Sequence, residues 1–279
     1  MSQSEHLLFE LGTEELPPAS LRALSEALAV GIEKGLTELE LAFGETLIYA
    51  TPRRLAVFIK DVSTEQADKS VEKRGPAIQG AFDADGNATK ACEGFARGCG
   101  TTADQLTRIK TDKGEWVAFN QLIKGKASVE LIPAVISKAI QQLPIAKRMR
   151  WGDSNIEFVR PVHWAVLLLG KHIIETDILG LTTGNTSYGH RFHAPQALTI
   201  TAAEDYEALL LSQAKVIPSF AQRIAMINDA AKQAAENVGG IAHIEADLLE
   251  EIAALNEFPV PITGNFDKRY LALPKEVLI

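Results

Sequence analysis

At 279 residues the chain can form one large domain or two smaller ones, and 46% hydrophobic with 23% charged residues excludes a disordered polymer. No apolar run approaches the ~20 residues that span a bilayer. The start, MSQSEHLLFE, lacks the basic flank and apolar core of a secretory signal, so a cytoplasmic protein with no membrane partner is expected. A net charge of −8 argues at first against a nucleic-acid partner; yet residues 201–279 hold 12 acids and 6 bases, which leaves 24 acids and 22 bases in residues 1–200, where local basic clusters can still bind phosphate.

Residues His6–Leu11 predict a strand stopped by Gly12. A helix is expected from Pro17, because its first turn needs no amide donor there, and Leu21, Leu24, Leu28, Ile32, Leu36, Leu39 and Phe43 form one apolar stripe. Thr46–Ala50 and Leu55–Val62 read as strands joined through Thr51-Pro52-Arg53-Arg54. Asp83 to Asn87 has turn chemistry, with Asn87 or Thr89 placed to cap the next helix. Asp112-Lys113-Gly114 separates two strand-like runs, the second being Trp116–Ile123. Ser128 to Leu143 is helical by pattern. Phe158–Leu169, His172–Leu179 and Ala197–Thr201 are strand candidates.

Farther along, Ser219 caps a helix with apolar positions Phe220, Ile224, Ile227, Ala231, Ala234 and Val238, closed by Gly239-Gly240, and a second helix runs about Ile244 to Asn256. Strands and helices mix without strict alternation, which predicts an α+β fold: mixed sheets packed with helices and a helical C-terminal third. Two modules are expected, 1–145 and 146–279. The apolar finish Val277-Leu278-Ile279 suggests a piece of a longer chain, with these residues poorly packed or used in a contact.

Several small patterns fail on chemistry. Asp83-x-Asp85-x-Asn87 starts like a calcium loop, but Ala88 and Gly94 stand where the turn glycine and bidentate glutamate belong. Gly98-Cys99-Gly100 onward fits a loose dinucleotide fingerprint but follows a helical stretch instead of a strand. His163, His190 and His193 lack the glutamate spacing of a zinc hydrolase, so no metal is expected. Cys92 and Cys99 are read as reduced, unreactive thiols. No ATP-binding signature is found, hence no catalytic residue and no cofactor in this chain.

Longer motifs carry a resemblance. LLFELGTEELPP, YATPRRLAVFI with RGPAIQGAFDADGNATKACEGFAR, RMRWGDSNIEFVRPVHWAVLLLG, GHRFHAP and EFPVPITGNFDKRYLALPKEVL stand in the order found in bacterial glycine–tRNA ligase β subunits. The chain is similar to the amino-terminal part of that family along essentially its whole length. The resemblance implies tRNA recognition, partnership with a separate catalytic α subunit in an α2β2 assembly, and tRNA for glycine as the RNA. It places ATP at the α subunit and the anticodon-binding part downstream. It also implies partial similarity to the editing-type domain of the phenylalanine–tRNA ligase β subunit, although fold similarity does not transfer activity. Two rival roles remain open: an editing hydrolase of mischarged tRNA, and a purely structural assembly module.

Read by themselves, Lys147, Arg148, Arg150 and Trp151 form a basic cluster with an adjacent aromatic, and Arg160, His163 and Trp164 follow. Arginine grips phosphate through its planar fork and tryptophan can stack on an unpaired base. Against this, Trp164 lies in an apolar run that suits a core, and Arg160 can pair with Glu157 or Asp153. Arg53 and Arg54, at a strand start, should point to opposite faces, so at most one shares a surface with ligand. His190, Arg191 and His193 belong to a loop that serves either binding or a hydrogen-bonded corner.

Overall fold

The computed structural model describes residues 3–83, 85–112 and 114–278. The chain opens with strand β1 (Ser4–Thr13), helix α1 (Pro18–Glu38) and the hairpin β2 (Thr46–Thr51) and β3 (Arg54–Ser63). Strand β4 (Lys69–Ala77), helices α2 (Ile78–Ala81) and α3 (Lys90–Gly98), and the hairpin β5 (Thr107–Thr111) and β6 (Gly114–Ile123) come next. Helix α4 (Ser128–Gln141) leads to the short pairs β7 (Met149–Arg150) with β8 (Glu157–Phe158), then β9 (Val162–Leu169) and β10 (His172–Ile173). Two further small ribbons are β11 (Asp177–Ile178) with β12 (Leu181–Thr182), and β13 (Thr186–Tyr188) with β14 (Ala197–Thr199). Helices α5 (Tyr206–Ser212), α6 (Phe220–Asn237) and α7 (Ala246–Leu255) follow. The fold is α+β, as expected, and its sheets are antiparallel.

The chain divides into two compact units: residues 1–3 with 64–130, and residues 4–63 with 131–279. In sequence the smaller unit falls within the larger one, whereas the modules expected were the linear stretches 1–145 and 146–279. A boundary search along the sequence looks for a linker, and an insertion has none of its own. Its ends are joined by hydrogen bonds, Thr64 N to Gln3 O and Ser128 N to Thr64 O.

In the larger unit the main sheet has the order β10–β9–β1–β3–β2, with every neighbouring pair antiparallel. Strand β1 is central and buried from Leu7 to Thr13, so both sheet faces are covered. On one face α1 packs on β2 and β3 with its stripe from Leu21 to Leu36. The helix ends at Glu38, short of Phe43, because Leu39 turns to cap it. Gly31 and Gly35 let α4 approach α1 closely: a Cβ there would lie 2.9 Å from Ala139 and 2.5 Å from Val135. The opposite face packs Leu8, Phe58, Trp164, Val166 and Leu168 against Leu198, Ile200, Tyr206 and Leu210.

The smaller unit is a sheet of order β4–β6–β5 whose one face carries a small core of Ala81, Cys92 and Val117, flanked by Phe82 and Phe95. Thr89 caps α3, its side chain accepting from the Cys92 amide, so of the two expected caps Thr89 serves. Cys92 is buried, which raises its thiol pKa, and Cys99 follows the end of the helix; both are free thiols. Lys113, in the expected turn before β6, lies outside the described residues, as does Ala84 in the turn before α3. Of the apolar finish, Val277 is exposed, while Ile279 and the side chain of Leu278 lie outside them too.

Candidate functional site

Strand alternation sends Leu8, Glu10 and Gly12 of β1 to the face that meets Tyr206 and Leu210. Glu10 is thereby an acid delivered into an apolar layer, 0% exposed. Gly12 pairs with Arg54 on one side and Trp164 on the other, so the three residues form a row across β3, β1 and β9. A Cβ on Gly12 would lie 1.9 Å from Trp164 Cε2. Its missing side chain lets the indole lie across the strand and brings the Arg54 guanidinium within 5.7 Å of the ring. Gly12 therefore does not stop the strand as expected; it sits inside β1 to make room.

Arg54 corrects a sequence expectation. It is fully buried and cannot reach RNA from this position. Nε donates to Thr51 Oγ1 (3.2 Å) and Glu257 Oε1 (3.4 Å), one terminal nitrogen to Ser187 Oγ (3.4 Å), and the other to Tyr188 O (2.8 Å). Glu10 Oε2 lies 3.6 Å away. Burial alone would lower the guanidinium pKa, but the Glu257 and Glu10 carboxylates outweigh it and hold the group charged, above its ordinary range. Glu10 also accepts from Ser187 Oγ (2.6 Å) and from the Trp164 indole, and Thr51 donates to Glu257 (2.7 Å). One buried cluster thus ties β1, β2, β3, β13 and the segment at Glu257 together. Nearby, Arg223 of α6 is equally buried and donates to the carbonyls of Ala253, Ile217, Pro218 and Ala50. Burial pulls its pKa down to about 10.

Above this cluster lies an open cleft of about 280 Å³, bordered by Arg53, His163, Trp164, Tyr188 and Arg191. Arg53 is a turn residue before β3, so strand alternation does not govern it, and its guanidinium also reaches the Trp164 ring, at 5.6 Å. Burial lowers its pKa, and the charge of Arg191 adds to that. Trp164 is buried in the core as its apolar run implied, and it also lines the cleft. Arg191 is held by Glu14 (2.5 Å) and Glu15 (2.7 Å), while His163 Nε2 lies 2.9 Å from the other Glu14 oxygen. The Arg191 hydrogen bond, helped by His163, pulls the Glu14 carboxyl down to about 2 against the opposing effect of burial.

The loop carrying Arg191 is an ordered corner. Gly189 donates to Gln196 O and His190 N to Ala214 O, and a Cβ on Gly189 would lie 2.1 Å from Ala194 O. His190 Nδ1 accepts from the amides of Phe192 (3.2 Å) and His193 (3.3 Å), which requires that nitrogen to be unprotonated. Burial pushes the His190 pKa down, in the same sense. His193 is exposed and stacks on His190 with centroids 4.4 Å apart, and Phe192 is 82% exposed. Among the described residues no group of His, Cys, Asp and Glu is arranged to hold a metal ion.

The second basic surface is separate in sequence and built on the β7–β8 pair. Lys147, Arg148 and Arg150 are all exposed, and Trp151 is half-buried. Arg150 donates to Asn155 (3.3 Å) and Arg148 to Gln141 O (3.4 Å); none of the three has a carboxylate partner among the described residues. Arg160 does not pair with Glu157 or Asp153 as expected, but donates to the Glu15 and Val159 carbonyls. With Lys147 it borders a groove of about 510 Å³ whose floor includes Leu24, Ile145 and Met149. The sequence candidates therefore fall on two surfaces, one around Arg53 and Arg191 and the other around Lys147 to Arg150. Glu10, Glu14 and Glu257, which organise the first, were not singled out by sequence. An acid at position 10 inside an apolar strand run was the available signal.

The match to known proteins assigns this architecture to the aminoacyl-tRNA synthetases: the chain belongs to the glycyl-tRNA synthetase beta subunit family, whose model matches residues 7–279. The chain is 50% identical over 277 residues to the glycine–tRNA ligase beta subunit of Marinobacter nauticus, 49% over 276 residues to that of Vibrio atlanticus, and 47% over 275 residues to that of Hahella chejuensis. In each case 99% of this chain is covered, and it spans 40% of the relative's length. No helix among the described residues is long and apolar enough to cross a membrane.

Proposed function

We propose that this chain is the portion of a two-subunit glycine–tRNA ligase β subunit that contributes to tRNA recognition and to assembly with a catalytic α subunit, in the cytoplasm and as α2β2. The observation that carries this is the family match along residues 7–279, together with relatives near 50% identity that bear the β-subunit name. ATP and glycine are handled by the α subunit in this reading, so the chain alone forms no glycyl-adenylate. The three exposed cations Lys147, Arg148 and Arg150, free of carboxylate partners among the described residues, support an RNA-facing surface.

The test is tRNA binding as a function of salt. Each phosphate contact contributes a slope of about −0.7 on single strands and about −0.9 on duplex. Changing Arg148 and Arg150 together to Ala is expected to weaken binding and flatten that slope by roughly 1.4–1.8. Equal affinity and slope in the double variant move the role to the assembly module, which pull-down by α subunit without tRNA would support. A second reading, hydrolysis of mischarged tRNA on a fold partly similar to the phenylalanine–tRNA ligase editing domain, draws support from one contact only. His163, which borders the Arg53 cleft and lies 2.9 Å from a Glu14 oxygen, has the form of an oriented base. Release of alanine from alanyl-tRNA by the purified chain, abolished by His163→Ala, is the outcome that favours it.

A further inference from the structure

Two arginines border the same cleft and are treated differently by the fold. Arg191 is satisfied by two carboxylates, Glu14 at 2.5 Å and Glu15 at 2.7 Å. Arg53 has no carboxylate partner among the described residues, and its Nε is buried and donates to nothing there. Its guanidinium lies 5.6 Å from the Trp164 ring; the charges of Arg191 and Arg54 disfavour it, while the Glu257 and Glu14 carboxylates favour it without either hydrogen-bonding to it. A half-buried cation with an unpaired Nε is suited to an anion that arrives from outside. The cleft is already built to receive it. Gly189 and His190 pin the loop, Gly12 seats the indole, and Arg54 beneath is locked by its own carboxylates, so little ordering is left for a ligand to bring about.

The neighbourhood distinguishes among anions. At about 280 Å³ the cleft falls just under the ~300–1,000 Å³ of whole-ligand pockets, which suits one charged group of a larger molecule. Exposed rings stand on its border and on the adjoining loop: Tyr188, 38% exposed and tilted against Trp164 at 5.1 Å, lines the cleft with the exposed His163, and Phe192, 82% exposed, directly follows Arg191 in the chain. An acidic side chain of a protein needs the guanidinium alone. A nucleotide uses both features, its phosphate on the planar fork and its base against a ring. We propose that the Arg53 cleft binds the backbone phosphate of an unpaired nucleotide, whose base rests on Phe192 or Tyr188. The site is distinct in its residues from the Lys147–Arg150 surface, and it rests on the tRNA-handling role only for the identity of the RNA.

The experiment follows Trp164 emission in a chain carrying Trp116→Phe and Trp151→Phe, titrated with an unstructured RNA hexanucleotide and, separately, with tRNA. Expected are a saturable change with either RNA, competition by millimolar inorganic phosphate, and about a tenfold loss of affinity in Arg53→Gln with an unchanged melting temperature. Arg53→Lys keeps the charge without the fork and is expected to fall between. Phe192→Ala, at a position 82% exposed, is expected to weaken hexanucleotide binding without reducing competition by phosphate. RNA binding that survives Arg53→Gln but is weakened by the Arg148/Arg150 double variant overturns the cleft proposal and leaves the tRNA role standing. Hexanucleotide binding without tRNA binding removes the tRNA role and leaves the cleft. A Trp164 response to hexaglutamate and not to RNA overturns the proposal in favour of an acidic protein partner.

Discussion

Replacing Arg54 by methionine keeps most of the side chain's volume and removes its charge. Glu10, 0% exposed, and Glu257, 6% exposed, then face each other's surroundings without a cation between them. Removing one partner of a buried ion pair costs about 3–5 kcal/mol, because the remaining charge stays desolvated and unpaired. In a domain of this size each kcal/mol moves the melting temperature by about 2–4 °C, so a drop of roughly 6–20 °C is expected. Melting curves followed by circular dichroism and by Trp164 emission measure it. Adding Glu257→Gln removes one stranded charge, so the double variant should lose less than the sum of the two single losses. A drop of under about 3 °C, or strict additivity, would refute the idea that these three groups form one water-excluded cluster.

Gly12→Ala drives a methyl into the Trp164 ring, and overpacking of that kind costs about 1–3 kcal/mol or more; the smaller ring of Trp164→Phe should restore part of it in thermal melts. Arg223→Met strands the carbonyls of Ala50, Ile217, Pro218 and Ala253, and is expected to cost more than about 3 kcal/mol, read as faster hydrogen exchange along α6. The Glu14 carboxyl, held at about 2 against 4.5 unfolded, stabilises the fold above pH 4.5 and loses that contribution as pH falls toward 2. The stability gap between parent and Glu14→Gln should therefore close between pH 4.5 and 2 in denaturant titrations, and a constant gap would remove Arg191–Glu14 as its cause.

The parts of the fold that were legible have long periodic signals. The stripe of α1, the caps Thr89 and Ser219, and the β2–β3 hairpin all follow from local spacing. Strand β4 was missed because Lys69 to Arg74 is exposed throughout, leaving no apolar alternation to detect. The three-residue strand β13 was missed for a different reason: it is held by its pairing to β14 and not by propensity. At the site, the opposite faces expected for Arg53 and Arg54 do not hold, since both guanidinia approach the Trp164 ring, and sequence could not say which one was inside. That depends on Glu257, which meets Arg54 from 203 positions away. The hydrogen-bonded corner at His190 was one of two readings open in the sequence, whereas the ion pairs that secure Arg191 join it to Glu14 across 177 positions and leave no local trace.

The nested unit has a consequence for the order in which the polypeptide acquires its structure. Strand β1 must find β9, whose partner residues, such as Leu168 for Leu8, are synthesised long afterwards, with residues 64–130 in between. Left open, that roughly 70-residue interruption lengthens the loop between Leu8 and Leu168 from about 90 to about 160 residues, a little under one doubling, or about 0.5 kcal/mol of closure entropy. Because its two ends meet in the Ser128 N to Thr64 O hydrogen bond, an interruption that folds first shrinks to a short splice. Destabilising mutations in residues 64–130 should then slow the maturation of the surrounding β-sheet during translation, even when they touch none of its strands.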